Sequence, residues 1–306
     1  MKSKWTAEDI PDQSGKTIIV TGANSGLGLA SAKALARKGA HVVMACRSQQ
    51  RGEEALQEVK QIPNASAELM LLDLGSLQSV KSFAEGFLSR YDQLHVLLNN
   101  AGIMATPYGT TQDGFEKQIG VNHLGHFALT AQLLQLLLRT ENSRIVNVSS
   151  LAARNGQIDP GAFRDPKNYK PWPAYNQSKL ANLMFTCELN RRLQGHSTIA
   201  LAAHPGGAST NLGRNLETNA VTRFLAEKIL LPLLPSADQN AAPQLYAATG
   251  PDAAGGHYYG PGGIGEIGGA PKRVKMPSTL GGREEWERLW AASEELTGVK
   301  FALTPA

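Results

Sequence analysis

The 306-residue sequence predicts an α/β fold: one domain with a mostly parallel, doubly wound sheet and helices on both faces. Three observations lead there. Short β-branched runs alternate with longer amphipathic stretches from about residue 16 to residue 203. The runs are apolar on both faces, as parallel strands covered by helices require. Hydrophobic residues make up 42% of the chain and aromatic ones only 6%, which supports an aliphatic core and excludes a mainly disordered chain.

In chain order, residues 16–21 (KTIIVT) read as a buried strand and residues 27–38 as a helix that Gly39 ends. Residues 41–46 form the second strand, and residues 51–61 a helix stopped by Pro63. The third pair is residues 68–72 and residues 77–90, followed by a fourth strand at 94–98. A long helical stretch covers 115–139, a fifth strand 144–148 (RIVNV), a helix 174–193 and a sixth strand 199–203. Such alternation implies right-handed βαβ units. After His204 the pattern loosens, with expected helices at 218–234 and 283–297 and a short strand at 257–259. There is no Pro/Ser-rich linker and no internal repeat, so one domain is expected across residues 1–306.

Charge and cysteine usage narrow the function classes. A formal charge of +4 without a run of five basic residues argues against a nucleic-acid partner. Cys46 and Cys187 lie far apart in apolar segments and are expected as buried free thiols in a reducing compartment. Residues 1–13 are polar and contain no apolar leader, and no stretch reaches the ~18 apolar residues of a membrane span. A cytoplasmic protein is expected, with no membrane partner. His123 and His126 could share a helix face, yet no Cys, Asp or Glu completes a ligand set nearby, so no metal is expected.

Directly after the first strand comes TGANSGLG, which places Gly22, Gly26 and Gly28 ahead of a helix. Glycines suit a tight turn whose backbone must approach a pyrophosphate, and the helix N-terminus offers free N–H groups to the anion. The intervening Asn24, Ser25 and Leu27 belong to the same turn. The spacing is G-x-x-x-G-x-G rather than the commoner G-x-G-x-x-G. At the end of the second strand, Cys46 stands where an acid would bond the ribose 2′-OH of NAD, and Arg47 follows it. No carboxylate lies between Gly39 and Arg51, and a guanidinium can hold a 2′-phosphate with paired hydrogen bonds. NADP(H) is the expected cofactor; a solvated surface arginine is the alternative.

In YNQSK, Tyr175 and Lys179 stand at i and i+4 of a predicted helix, so both point the same way. A phenol with a pKa of about 10 is a poor acid–base group at neutral pH unless an ammonium nearby lowers that value. The strand at 144–148 runs into Ser149 and Ser150, at the strand ends where doubly wound sheets bind ligands. A serine there is otherwise an ordinary cap. Asn122, in VNHLGHF, is a mediocre helix former within a helical stretch, which suggests a bonding role.

Together, TGANSGLG, NNAG (residues 99–102), Asn122, Ser150 and the Tyr175/Lys179 pair resemble the short-chain dehydrogenase/reductase superfamily, in order and spacing from about Gly15 to Thr210. The resemblance implies a Rossmann-type domain with Asn122, Ser150, Tyr175 and Lys179 as the catalytic tetrad. Tyr175 would be the general acid in reduction, Ser150 would polarise the carbonyl, and Lys179 would lower the tyrosine pKa and hold the ribose. Asn122 would support a water-linked proton path. Asp73 and Leu74 would lie on the adenine side, Asn100, Ala101 and Gly102 beside the adenosine ribose, and Pro205, Gly206, Gly207, Ser209 and Thr210 around the nicotinamide carboxamide. Residues 15–210 would then form the cofactor-binding and catalytic core, and residues 211–306 a substrate loop and C-terminal elements.

NHLGHF, SKLANLMFTCELNRRL, AAHPG, GGHYYGP and LWAASEELTGV look most like the retinol-dehydrogenase-like branch and its soluble bacterial members. Two departures stand out. The membrane anchor frequent in retinol dehydrogenases is not expected here, and Ser150 precedes Tyr175 by 25 positions where the family usually has about a dozen. The insert, with Phe163, Tyr169 and Trp172, is expected to shape the substrate mouth or cover a face used for oligomerisation. Met104, Tyr108, Leu212 and Phe224 are candidate pocket residues. The expected partner is a small carbonyl or alcohol substrate, apolar or aromatic, and the expected state a monomer or homodimer. A light-dependent reductase of a chlorophyll precursor and a non-catalytic NADP(H) sensor share parts of the same motif set.

Overall fold

A computed structural model describes residues 5–165, 167–206 and 236–303. Eight strands form one sheet in the order β3-β2-β1-β4-β5-β6-β7-β8. These are β1 (Thr17–Thr21), β2 (His41–Cys46), β3 (Ser66–Leu71), β4 (Val96–Asn99), β5 (Arg144–Val148), β6 (Ile199–Ala203), β7 (Tyr258–Pro261) and β8 (Pro271–Arg273). All neighbours are parallel except β7 and β8. The doubly wound, mostly parallel sheet expected from the sequence is therefore present.

Alternation along each strand explains why both faces are covered. In β1, Ile18 and Val20 enter one apolar cluster while Ile19 enters the other. In β2, Val42, Met44 and Cys46 face the first cluster and Val43 and Ala45 the second; β4 and β5 divide in the same way. Each fully buried aliphatic side chain of this kind contributes about 1.5–3 kcal/mol of transfer free energy. The first face is covered by α1 (Gly26–Arg37), α2 (Gln49–Lys60) and, later in the chain, by short helices at Ala237–Asn240 (α7) and Ala242–Thr249 (α8). The second is covered by α3 (Leu77–Leu88) and α5 (Gly125–Arg139), with part of α6 (Pro171–Arg192).

The stretch expected as one helix over residues 115–139 is divided. A single turn, α4 (Lys117–Ile119), leads into a π-helical segment at Gly120–Leu124, and regular helix begins at Gly125. Such one-turn bulges recur at functional sites because they re-aim a side chain; here the segment contains Asn122. The final helix, α9 (Arg283–Thr297), matches its expected bounds and packs along α6. Trp290 closes an aromatic group with Phe127, Phe185 and Phe301, and Arg192 lies over the Trp290 ring. The C-terminal segment thus covers apolar faces of α5 and α6. The expected helix at 218–234, and with it Leu212 and Phe224, lies outside the described residues. Cys46 is buried and Cys187 partly buried, both as free thiols.

Candidate active site

The strand order reverses between β1 and β4, and a cleft of about 350 Å³ opens at their carboxyl ends. Its wall begins with the glycine-rich turn: Gly22, Asn24, Ser25, Gly26, Leu27 and Gly28. Gly22 and Gly26 take φ of +67° and +52°, a region that side-chain-bearing residues rarely adopt. A Cβ on Gly28 would collide with the Gly22 carbonyl oxygen. Ser48 and Ser76 cap the N-termini of α2 and α3 with their side chains, whereas Ser25 makes no such bond at α1. The first N–H groups of α1 therefore face the cleft without a side-chain cap, as anion binding requires.

Arg47, Ser48 and Arg51 line one end of the cleft. Both arginines are exposed, and neither forms an ion pair among the described residues. Arg51 escaped sequence reading because an arginine in the first turn of an exposed helix looks like any solvated cation. Its one signal was its position four residues after Arg47, across a helix start. Leu72, Asp73 and Leu74 form the adjoining wall. The Asp73 carboxylate accepts the Gly75 N–H at 2.9 Å, closing a tight turn beneath the cleft. Asn100, Ala101 and Gly102 follow, with Ile103 and Met104. Asn100 spends its side chain on structure: Nδ2 donates to the Thr21 carbonyl at 2.8 Å, and Oδ1 accepts from Gln244 at 3.0 Å.

Tyr175 and Lys179 lie at the other end, both on the cleft and both buried. Burial pushes the Tyr175 phenol above its ordinary range, and a hydrogen bond with Ser150 acts against that rise. The expected lowering of this tyrosine by Lys179 is therefore not the net direction. Desolvation sets the direction, and the lysine is itself depressed to about 8 by burial. Lys179 Nζ donates to the Val148 carbonyl at 3.1 Å and stands 5.8 Å from the Tyr175 ring centre.

The two serines after β5, equivalent in sequence, differ in structure. Ser149 lines the cleft, but its hydroxyl donates to the Lys179 carbonyl at 2.8 Å. Ser150 accepts from Ala152 N at 3.2 Å and is the one that meets the Tyr175 phenol. Asn122 does not line the cleft. Its amide grips the chain just behind the wall: Oδ1 accepts from Ile103 N at 2.8 Å, and Nδ2 donates to the Ile103 carbonyl and to Ser178 Oγ, each at 2.9 Å. Gly102 sits between the two groups: a Cβ there would lie 3.2 Å from Lys179 Nζ and 3.3 Å from Asn122 Oδ1.

Pro205 reaches the cleft, and Gly206 adopts φ +76° against Pro261. Gly207, Ser209 and Thr210 lie outside the described residues. The insert before α6 packs onto residues 105–118. Phe163 is fully buried, and Tyr169 donates to the Thr106 carbonyl and accepts from Gln118, each at 2.8 Å. It leaves Trp172, 46% exposed, edge-on to Tyr175 at 6.1 Å. Tyr108, 54% exposed, leans on Tyr169 at 5.3 Å. Among the described residues no helix is long and apolar enough to cross a membrane.

Residues 16–220 match the short chain dehydrogenase family. Retinol dehydrogenase 12 of Mus musculus is 39% identical over 290 residues, covering 94% of this chain and 88% of the relative. A crystal structure of an uncharacterised protein from Mycobacterium paratuberculosis aligns with a TM-score of 0.81 and 42% identity, over 98% of this chain and 100% of the other. An NAD(P)-dependent gluconate 5-dehydrogenase from Beutenbergia cavernae, with NADP bound at low occupancy, aligns with a TM-score of 0.64 and 25% identity, over 81% and 95%. A glycine-rich turn and a tyrosine–lysine pair at two ends of one cleft, on this sheet and with these relatives, place the chain in the short-chain dehydrogenase family, as a retinol-dehydrogenase-like oxidoreductase.

Proposed function

We propose that the chain is an NADP(H)-dependent oxidoreductase acting on a ketone or aldehyde and the matching alcohol, with Tyr175 as the proton-transferring residue. The observation that carries this reading is the continuity of one cleft from Arg47 and Arg51, past the glycine-rich turn, to Tyr175 and Lys179. The residues present fit a dinucleotide with a 2′-phosphate. The glycines leave room for the backbone to approach a pyrophosphate, the α1 N-terminus is free of a side-chain cap, and two arginines line the cleft just beyond Cys46, which holds the place of an NAD enzyme's acid.

The bound nicotinamide would supply or accept the hydride. The chain's own residues handle the proton and the oxygen. Burial keeps the Tyr175 phenol protonated at neutral pH, the form a proton donor needs in carbonyl reduction. Ser150, already bonded to that phenol, can donate to the same substrate oxygen. Lys179, depressed to about 8, stays mainly protonated at neutral pH and offers a positive charge at the inner end of the cleft. Trp172, edge-on to Tyr175 at 6.1 Å, sets an aromatic side chain beside the tyrosine end of the cleft, which favours an apolar or aromatic substrate. A small-molecule substrate and a monomeric or dimeric state complete the reading.

A fluorescence titration of the purified protein with NADPH and NADH, followed by a panel of aromatic and aliphatic carbonyls, tests it. Tighter NADPH binding and Tyr175-dependent consumption of NADPH by an aromatic carbonyl are expected. Equal affinity for NADH would remove the cofactor assignment, and turnover unaffected by Tyr175→Phe would remove the mechanism.

A further inference from the structure

His126 is buried to 2% exposure in the first turn of α5, one turn beyond Asn122, and its two ring nitrogens face different parts of the site. Nδ1 lies 3.1 Å from the Asn122 carbonyl oxygen, and Nε2 lies 2.9 Å from Thr21 Oγ1, on the last residue of β1. A carbonyl only accepts, so Nδ1 carries the ring proton and Nε2 is the acceptor of a neutral imidazole. Burial and the nearby Lys179 charge hold the ring neutral, at about 3. Thr21 therefore donates its hydroxyl proton to Nε2, the nearer of two acceptors, the other being the Leu98 carbonyl at 3.3 Å. The Thr21 oxygen in turn accepts from Asn100 N and Ala101 N, both at 2.9 Å.

This is a directed chain of hydrogen bonds. It begins at two backbone N–H groups on the cleft wall after β4, passes through the Thr21 hydroxyl at the end of β1, crosses the imidazole and ends on the main chain of Asn122. An aliphatic residue would fill the volume of His126 but could not join the two ends. The Asn122 amide then fixes Ile103, and Gly102 separates Asn122 Oδ1 from the Lys179 ammonium. A change in the carbonyl that His126 holds is thereby passed to the wall beside Lys179.

We propose that His126 is a positioning residue for the reaction: through its Nδ1–H it sets the main chain of Asn122 from the two strand ends that frame the cofactor cleft. The proposal rests on the reading of Asn122, Tyr175 and Lys179 as the reaction centre. It differs from a merely structural role in what it moves. The hydride-transfer geometry depends on it, and the affinity for the dinucleotide does not.

The test uses the full chain, NADPH and benzaldehyde, with kcat and the NADPH dissociation constant measured for three variants. His126→Asn places an amide donor near the Nδ1 position, so it keeps the bond to Asn122 and loses Thr21. His126→Gln reaches the Nε2 position, so it keeps Thr21 and loses the bond to Asn122. His126→Leu loses both. The Gln and Leu variants are expected to lose about ten- to a hundredfold in kcat, as a misplaced reaction centre does, while NADPH binding stays within about threefold. The Asn variant is expected to recover most of the lost kcat. Equal kcat for the Asn and Gln variants, or wild-type kcat for the Leu variant, overturns the proposal; if the Leu variant fails to fold, the Asn–Gln contrast decides. Tyr175→Phe in the same series separates the two possible failures. Wild-type turnover that is absent, or indifferent to that substitution, overturns the reaction-centre reading and this inference with it. Tyr175-dependent turnover with unchanged His126 variants overturns the inference alone.

Discussion

Lys179 Nζ donates to the carbonyl oxygen of Val148, the last residue of β5, at 3.1 Å. This bond fixes the ammonium at the floor of the cleft, where burial depresses it to about 8. The lysine is directed at the strand end, and desolvation sets the direction for the tyrosine.

The depressed lysine has a kinetic consequence. In the free enzyme its charge is present below about pH 8 and lost above it. The value of kcat/KM for NADPH, which reports the free enzyme, should fall on the alkaline side with a midpoint near 8. In Lys179→Arg that limb should move beyond the accessible range. A pH profile of both proteins checks this, and a limb that stays near 8 in the Arg variant would assign it to another group.

Arg47 and Arg51 line the same end of the cleft without ion-pair partners among the described residues. Replacing Arg47 by Ala should weaken NADPH binding about ten- to a hundredfold, roughly 1.4–2.8 kcal/mol, with NADH little affected. Arg51→Ala should act in the same direction and less strongly, since that side chain starts one helical turn further along. Fluorescence titrations with both cofactors measure the difference.

Three buried histidines, His123, His126 and His204, make the fold acid-sensitive, with His204 held at about 4 by burial. Burial depresses His123 to about 4 and His126 to about 3, whereas the unfolded chain titrates near 6.5. Between these values the unfolded state binds more protons, so stability is fully present above about pH 6.5 and is lost as pH falls towards the folded values. Each histidine contributes a slope of up to about 1.4 kcal/mol per pH unit in that window. Urea unfolding at pH 7 and pH 5 should therefore differ by several kcal/mol, and His123→Phe should reduce the difference. An unchanged difference in that variant would count against the assignment.

Trp290 docks α9 against α5 and α6, with ring contacts to Phe127 at 5.3 Å and Phe301 at 4.4 Å. Trp290→Ala should cost about 3–5 kcal/mol through the cavity it leaves. Denaturant titration at constant m value measures it, and a loss under 1 kcal/mol would mean that the helix docks by other contacts.

Strands β1, β2, β4, β5 and β6 were legible because both-sided burial demands uninterrupted apolar runs, whereas β3 has no fully buried residue; β2, β5, β6 and the helix α9 match their expected bounds. Strand β8 was not, since Pro271, Lys272 and Arg273 form an exposed edge whose pairing with β7 comes from backbone groups. The short helices α7 and α8 have too few turns to show periodicity. At the site, the glycine turn and the residues at Tyr175 and Lys179 were legible as spaced motifs, and the structure brings them onto one cleft. The choice of Ser150 over Ser149 came from the motif resemblance alone, because the residues themselves are identical and differ only in which partner the fold offers each hydroxyl. Asn122 drew notice as a poor helix former, yet the π-turn that aims its amide at Ile103 leaves no mark in composition.

In the proposed reaction Tyr175 delivers the proton for an NADPH-dependent carbonyl reduction. Single-turnover oxidation of bound NADPH by an aromatic aldehyde, compared between the wild type and Tyr175→Phe, tests it most directly. Unchanged NADPH affinity and a rate lower by about 10²–10⁴ are expected in the variant. Equal rates in the two proteins would contradict it.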